Sequence, residues 1–272
     1  AARGRLMGAL PEGGKMAVVF GDEAAVVEAL QPYRKAVSVA AINGPNNVVI
    51  SGAGTVVEAV LAVLSGQGIK SQPLRVSHAF HSPLMDSILN EFEEIAEGVH
   101  FSKPRIRLIS NVTGQFAGAD IQTAAYWRRH IRESVRFNDS ITTLYGKGFN
   151  TFLEIGPGVT LLGMGQRCLP DTDDSTPWLP SLRSGRPEGE QMSGSLGLLY
   201  TRGAKVNWIG FDQDYPRQRV PLPTYPFQRE RYWITPASTS PTIRSHRPSS
   251  NGSTTAAAGH RPSGSTTSPP TR

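Results

Sequence analysis

The alternation of short runs between Met16 and Leu74 constrains the fold more than any other feature of the sequence. Met16-Ala17-Val18-Val19-Phe20 is a short β-rich run, and Glu23 to Leu30 has the composition of a helix. Val37 to Asn43 and Asn47 to Ser51 predict two more strands, Thr55 to Leu64 a second helix, and Ile69 to Leu74 a last strand. The order is β-α-β-β-α-β. Between the middle strands, Asn43-Gly44-Pro45-Asn46 has the chemistry of a chain reversal, so they can pair as a hairpin in a ferredoxin-like sheet.

The pattern beyond Leu74 alternates like the second half of an α/β core. Pro83 to Gly98 predicts an amphipathic helix with Leu84, Ile88, Phe92 and Ile95 on one face. A strand follows over Ile106 to Ser110, then helices over Ala124 to Arg132 and Asp139 to Lys147. Thr151 to Ile155 is a short apolar strand ending in Gly156-Pro157-Gly158. From Asp171 the composition turns polar, and then becomes rich in proline and aromatics up to Trp233. Residues 237–272 are mostly Ser, Thr, Pro, Gly and Ala with four arginines, too poor in apolar side chains to offset the entropy of ordering, and are expected to be disordered. At the other end there is no initiator methionine, and Ala1 to Met7 reads like the end of a helix, so truncation is expected.

Charge and cysteine content narrow the function. The formal net charge is +6, but Arg244, Arg247, Arg261 and Arg272 lie in the tail, and without them the balance is +2. No face of the body is expected to interleave basic and aromatic residues as a single-strand groove would, so a nucleic-acid partner is not expected. The lone Cys168 excludes an internal disulfide and a multi-cysteine zinc site. It suits a reducing compartment, and with neither a signal peptide nor a membrane-length apolar run the expected location is the cytoplasm, with no membrane partner.

Chemistry concentrates at Ser77-His78-Ala79-Phe80-His81-Ser82-Pro83, where two histidines fall at a strand-to-helix junction. His-x-x-His admits three meanings: two hydrogen-bonded imidazoles, a catalytic base, or a metal pair. No neighbouring carboxylate or cysteine completes a metal ligand set. Gly156-Pro157-Gly158 has no third glycine at position 161, so the dinucleotide fingerprint fails and a tight turn into a helix is the better account. Ser193-Gly194-Ser195-Leu196-Gly197 imitates a nucleophile elbow but lacks its first glycine and a buried strand before it.

With HAFHSPLM in the middle, RGRLMGALPEGGKMA before it, FLEIGPGVTLLGM after it and LPTYPFQRERYW further on, residues 1 to about 233 resemble the acyltransferase domain of type I modular polyketide synthases. The resemblance implies a partial α/β-hydrolase-like core with a ferredoxin-like small subdomain, then a linker and a disordered tail. The implied boundaries are 1–14 and 76–178 for the large subdomain, 15–75 for the small one, 179–236 for the linker and 237–272 for the tail. It implies a Ser-His mechanism in which a serine takes malonyl from malonyl-CoA and passes it to the phosphopantetheine arm of an acyl carrier protein, with no bound cofactor. The ketosynthase and other domains of the same megasynthase would be further partners.

Residue by residue, the resemblance makes His81 the catalytic base and Arg3 the grip on the malonyl carboxylate, a task suited to a planar guanidinium. His78, Phe80 and Asn43 would line the substrate site, and the main chain of His130 would orient His81. His78-Ala79-Phe80-His81 resembles the malonyl-selective form of the motif, where methylmalonyl-selective members carry Tyr-Ala-Ser-His; Phe80 would fill the space of an α-substituent. No Gly-x-Ser-x-Gly occurs in the chain, so the nucleophile and oxyanion hole are expected to lie outside it and the chain alone to be inactive. Two other readings stay open: a non-catalytic interaction module, and a ferredoxin-like regulatory domain binding a small ligand.

Overall fold

The computed structural model describes residues 1–169, 176–216, 218–230 and 232–233. The expected disordered tail, 237–272, lies outside them. The chain divides into two units, Ala1–Phe211 and Asp212–Arg272. Between Asp212 and Trp233 the described residues form no helix or strand beyond the last residue of a short helix, Trp208–Asp212.

A first short helix, α1 (Ala2–Gly8), leads into β1 (Gly14–Val19), α2 (Glu23–Leu30), β2 (Val37–Gly44), β3 (Asn47–Ala53), α3 (Gly54–Gly66) and β4 (Ser71–Pro73). The strands lie in the order β4-β1-β3-β2, all neighbours antiparallel, which is the ferredoxin-like arrangement. Gly44 pairs with Asn47, leaving Pro45 and Asn46 as the turn. Asp22 caps α2 through Oδ1, which accepts from the Ala25 amide at 2.8 Å. One face of the sheet buries Ala17, Val19, Val48 and Ile50 against Val26 and Leu30 of α2 and Val57, Val60 and Leu64 of α3. Gly52 is obligatory at its position: a Cβ there would fall 2.1 Å from the Ala36 carbonyl oxygen.

Past β4 the chain runs without regular structure to a 3-10 turn, Pro83–Ile88, and then α4 (Leu89–Glu97). This corrects the single helix expected over Pro83 to Gly98. Ser82 starts the turn, its Oγ accepting from the Leu84 amide, and the tighter winding rotates the buried face to Met85, Ile88, Leu89 and Ala96, leaving Leu84 and Ile95 exposed. The strand expected over Ile106 to Ser110 is absent as well. Only Ile109 makes a bridge, to Phe116, and Ile106 is 83% exposed.

Helix α5 (Ala124–Arg132) is capped by Thr123 and runs into β5 (Val135–Arg136), which joins the ferredoxin-like sheet parallel to β2. Helix α6 (Phe137–Gly146) and strand β6 (Phe152–Glu154) follow, then α7 (Thr160–Cys168) and β7 (Trp178–Pro180). β6 and β7 form a separate two-stranded parallel sheet, with the Phe152 and Trp178 rings stacked at 4.3 Å. The stretch read as polar linker contains a fourteen-residue helix, α8 (Glu188–Thr201). Ser195 sits inside it and donates from Oγ to the Pro180 carbonyl at 2.7 Å, so the elbow-like pentapeptide is helical. Among the described residues no helix is long and apolar enough to cross a membrane.

Candidate active site

Strand β2 is the ruler on which the site is assembled. On one side the Ser38 hydroxyl donates to the main-chain carbonyl of His81 at 2.7 Å. On the other, Ser134 donates from Oγ to the Val39 carbonyl, and Ala41 and Ile42 pair with Val135 and Arg136. The loop before the 3-10 turn and the exit of α5 are thus fastened to consecutive residues of one strand. His81 meets the exit of α5 there: its Nδ1 lies 2.7 Å from the Glu133 carbonyl oxygen.

A carbonyl only accepts, so the hydrogen of His81 resides on Nδ1 and Nε2 is left as an acceptor. This is the geometry of a base with a fixed tautomer. His81 also has φ of 58°, alone in the left-handed region among the described non-glycine residues, a conformation that is strained for a side chain with a Cβ. Ser82 helps to hold this corner, its Oγ donating to the Ala79 carbonyl at 2.6 Å. Burial pulls the His81 pKa from 6.5 down to about 4; the Glu133 carbonyl opposes the shift, and Arg3, His130 and Arg132 reinforce it. His81 is therefore neutral at pH 7.

The carbonyl that orients His81 was expected from His130; it belongs to Glu133 instead. Helix α5 ends at Arg132, and Glu133 turns extended with ψ of 159°, which swings its carbonyl out of the helical direction towards the imidazole. His130 lies one turn earlier and contributes its side chain. Its Nδ1 is 3.1 Å from Arg3 Nη1, and its ring centroid is 6.5 Å from that of His81. Arg3 projects from α1, half-buried, and burial lowers its pKa. His81, Arg3, His130 and Glu133 form one cluster.

The other expected site residues fall around this cluster or away from it. His78 Nε2 donates to the Leu10 carbonyl at 3.0 Å, and the ring lines a cavity of about 450 Å³ with Gly14, Ala53, Leu84 and Met85. Phe80 packs against two apolar clusters, one of Leu6, Met7, Met85, Ile88, Leu89 and Ile131, the other of Met16, Ala40 and Val49. Asn43 stands five residues along β2 from Ser38, roughly 16 Å at strand spacing, and its main-chain carbonyl accepts from Cys168 Sγ at 3.3 Å. Its own position is set by the hairpin and α7. Glu133, Ser38 and Ser134 were missed; two act through hydroxyls on a strand edge and one through a main-chain carbonyl, and only the expected end of α5 at Arg132 pointed to a free carbonyl there. Among the described residues no group of three or more His, Cys, Asp or Glu side chains is placed to hold a metal ion.

The family described as Acyl transferase domain matches residues 1–202. The chain belongs to that family. The match bears out the likeness read from the histidine motif and its flanking segments. Polyketide synthase GfsA of Streptomyces halstedii is 43% identical over 235 residues, covering 86% of this chain and 3% of the synthase. The acyltransferase domain from the second module of the salinomycin polyketide synthase superposes with a TM-score of 0.78 at 43% identity, over 84% of this chain and 53% of that one. The acyl transferase domain of SpnD, in complex with 2-(pent-4-yn-1-yl)malonyl, gives a TM-score of 0.67 at 29% identity over 74% of this chain and 48% of its own. This acyl transferase chain thus spans a small part of its curated relative and about half of each solved domain.

Proposed function

We propose that this acyl transferase segment supplies the general base and the carboxylate grip with which a polyketide synthase loads malonyl units from malonyl-CoA onto the phosphopantetheine arm of an acyl carrier protein. The observation that carries the reading is the Nδ1 contact of His81 with Glu133, which leaves Nε2 free to accept a proton, beside a half-buried arginine. The malonyl derivative held by the SpnD domain supports the substrate class. The 272 residues contain no Gly-x-Ser-x-Gly, and the serine comes from chain outside them, in the same multidomain synthase as the carrier and ketosynthase.

In the first half-reaction the serine hydroxyl gives its proton to His81 Nε2 while Oγ attacks the malonyl thioester carbonyl. The tetrahedral intermediate collapses, the C–S bond breaks, and the thiolate of CoA leaves with the proton from His81. In the second, the phosphopantetheine thiol gives its proton to the same nitrogen and sulfur attacks the malonyl ester. The serine departs with that proton. Arg3 binds the distal carboxylate through both halves and so fixes the acyl group relative to Nε2.

In a domain joining this segment to a serine elbow, His81→Ala is expected to lower acyl transfer about a hundredfold or more without unfolding the protein. Arg3→Ala is expected to harm malonyl transfer far more than acetyl transfer. Undiminished turnover by His81→Ala would reassign the base, and equal loss on both acyl groups would remove Arg3 from its role. The 272-residue chain, incubated with malonyl-CoA, should show no malonyl adduct by intact mass; a stoichiometric adduct on one of its serines would overturn the external nucleophile.

A further inference from the structure

The contact between Arg3 and His130 has a direction. An arginine only donates, so at 3.1 Å from Nη1 the Nδ1 of His130 must be an unprotonated acceptor. Tyr126 and Trp127 lie beside the His130 ring, with centroids 6.1 and 5.6 Å away. The ring is therefore held on the side of α5 that faces α1, and Arg3 has an acceptor fixed by the packing of a second helix.

The charges around this pair leave it few alternatives. Facing His130 are Arg3 from α1 and His81 from the loop, with Tyr126 on its own helix. Carboxylates on the elements packed around them are engaged elsewhere: Glu91 by Arg5 at 3.2 Å, Glu133 by Arg129 at 2.8 Å, Asp86 by Arg132 at 2.7 Å and Glu93 by Arg128 at 3.2 Å. Among the described residues no carboxylate pairs with Arg3, which leaves its remaining N–H groups to meet a ligand. Burial first, and then the positive Arg3, depress the His130 pKa, with a main-chain hydrogen bond partly offsetting them.

We propose that His130 is the positioning residue that holds the Arg3 guanidinium in the cleft, and that it does so only while its imidazole is neutral. A proton on Nδ1 removes the acceptor and places two cations side by side, which frees Arg3 to leave. The acidic limb of malonyl binding would then report His130. This rests on the assignment of Arg3 as the carboxylate grip and deepens it: the grip works above the His130 pKa and fails as pH falls through it.

The test uses the full chain and follows the His130 and His81 ring signals by NMR as pH is lowered, in the wild type and in Arg3→Gln. Replacing the cation with a neutral donor should raise the His130 pKa toward the ordinary histidine value. No movement would overturn the proposal. In parallel, malonyl-pantetheine, which carries a single free carboxylate, is titrated against the wild type, His130→Ala and His130→Asn. His130→Ala should bind roughly tenfold more weakly at pH 7, whereas His130→Asn, which restores a neutral acceptor, should recover most of the affinity and lose the acidic limb. An acidic limb unchanged in His130→Asn would overturn the assignment of His130 alone. Arg3→Ala binding as tightly as the wild type would instead overturn the carboxylate grip itself.

Discussion

The ferredoxin-like sheet and the layer of β6 and β7 are built from similar elements and end in different states. In the first, one continuous stretch from Gly14 to Pro73 supplies four of the five strands and the two helices that cover one face, and Val19, Ile50, Val60 and Leu64 are wholly buried. In the second, two parallel strands of three residues each lean on α6 and α7 through a small cluster of Ile141, Cys168 and Leu169, while Leu153, Ile155 and Leu161 face outward. Parallel sheets are ordinarily covered on both faces. A core that closes on itself can be finished by local chain; a parallel layer depends on whatever chain comes to lie over it.

Substitutions at three places can break or sharpen this contrast. The largest effect is expected at Gly52→Val, because the new Cβ meets main-chain atoms of Ala36 and Val37 at 2.1 and 2.7 Å, and neither can move without unpairing β2 from β3. Urea unfolding should show a loss of about 3 kcal/mol or more; a loss under half of that would mean the sheet is looser than its packing implies. Phe80→Ser comes next, since the ring belongs to both the sheet's second face and the α1–α4 cluster. A loss of about 2–3 kcal/mol is expected, shared by amide protection on both sides. Protection lost on one side only would mean that the two clusters are independent. In a complete acyl transferase domain the same change should raise methylmalonyl transfer relative to malonyl, on the scale of the ~1–3 kcal/mol that one methyl group is worth.

The histidine motif and the β-α-β-β-α-β unit were legible for the same reason: each is a local pattern. The helix expected over Glu23 to Leu30 is the helix observed, and the hairpin turns at Pro45 and Asn46 as its residues suggested. What stayed hidden was non-local. Ile106 looks like a strand residue but has no partner strand. Helix α8 was obscured by its glycines and serines, weak helix formers that owe their place to the contact of Ser195 with Pro180. Glu133 acts through a carbonyl that every residue possesses, and its direction depends on where α5 stops.

The smallest effect is expected at Ile155→Lys. The residue is 84% exposed, so in this chain the change should alter stability by less than about 0.5 kcal/mol. In a complete domain it should cost several times more, as measured by the shift in denaturation midpoint, provided that further chain lies over that layer. Equal effects in both settings would mean that the layer is a true outer surface and that the contrast with the ferredoxin-like sheet lies only in size.

The left-handed corner at His81 has a consequence for anyone selecting sturdier variants of such a domain. Glycine or asparagine suits that backbone better than histidine does, and neither would leave a half-buried imidazole that resists its proton. A library screened for heat resistance alone should therefore be enriched in replacements at position 81, and with His81 in its proposed role as the base the survivors would be catalytically silent. On that proposal durability and turnover pull in opposite directions at this one residue, so heat challenge has to be paired with an acyl-transfer assay from the first round.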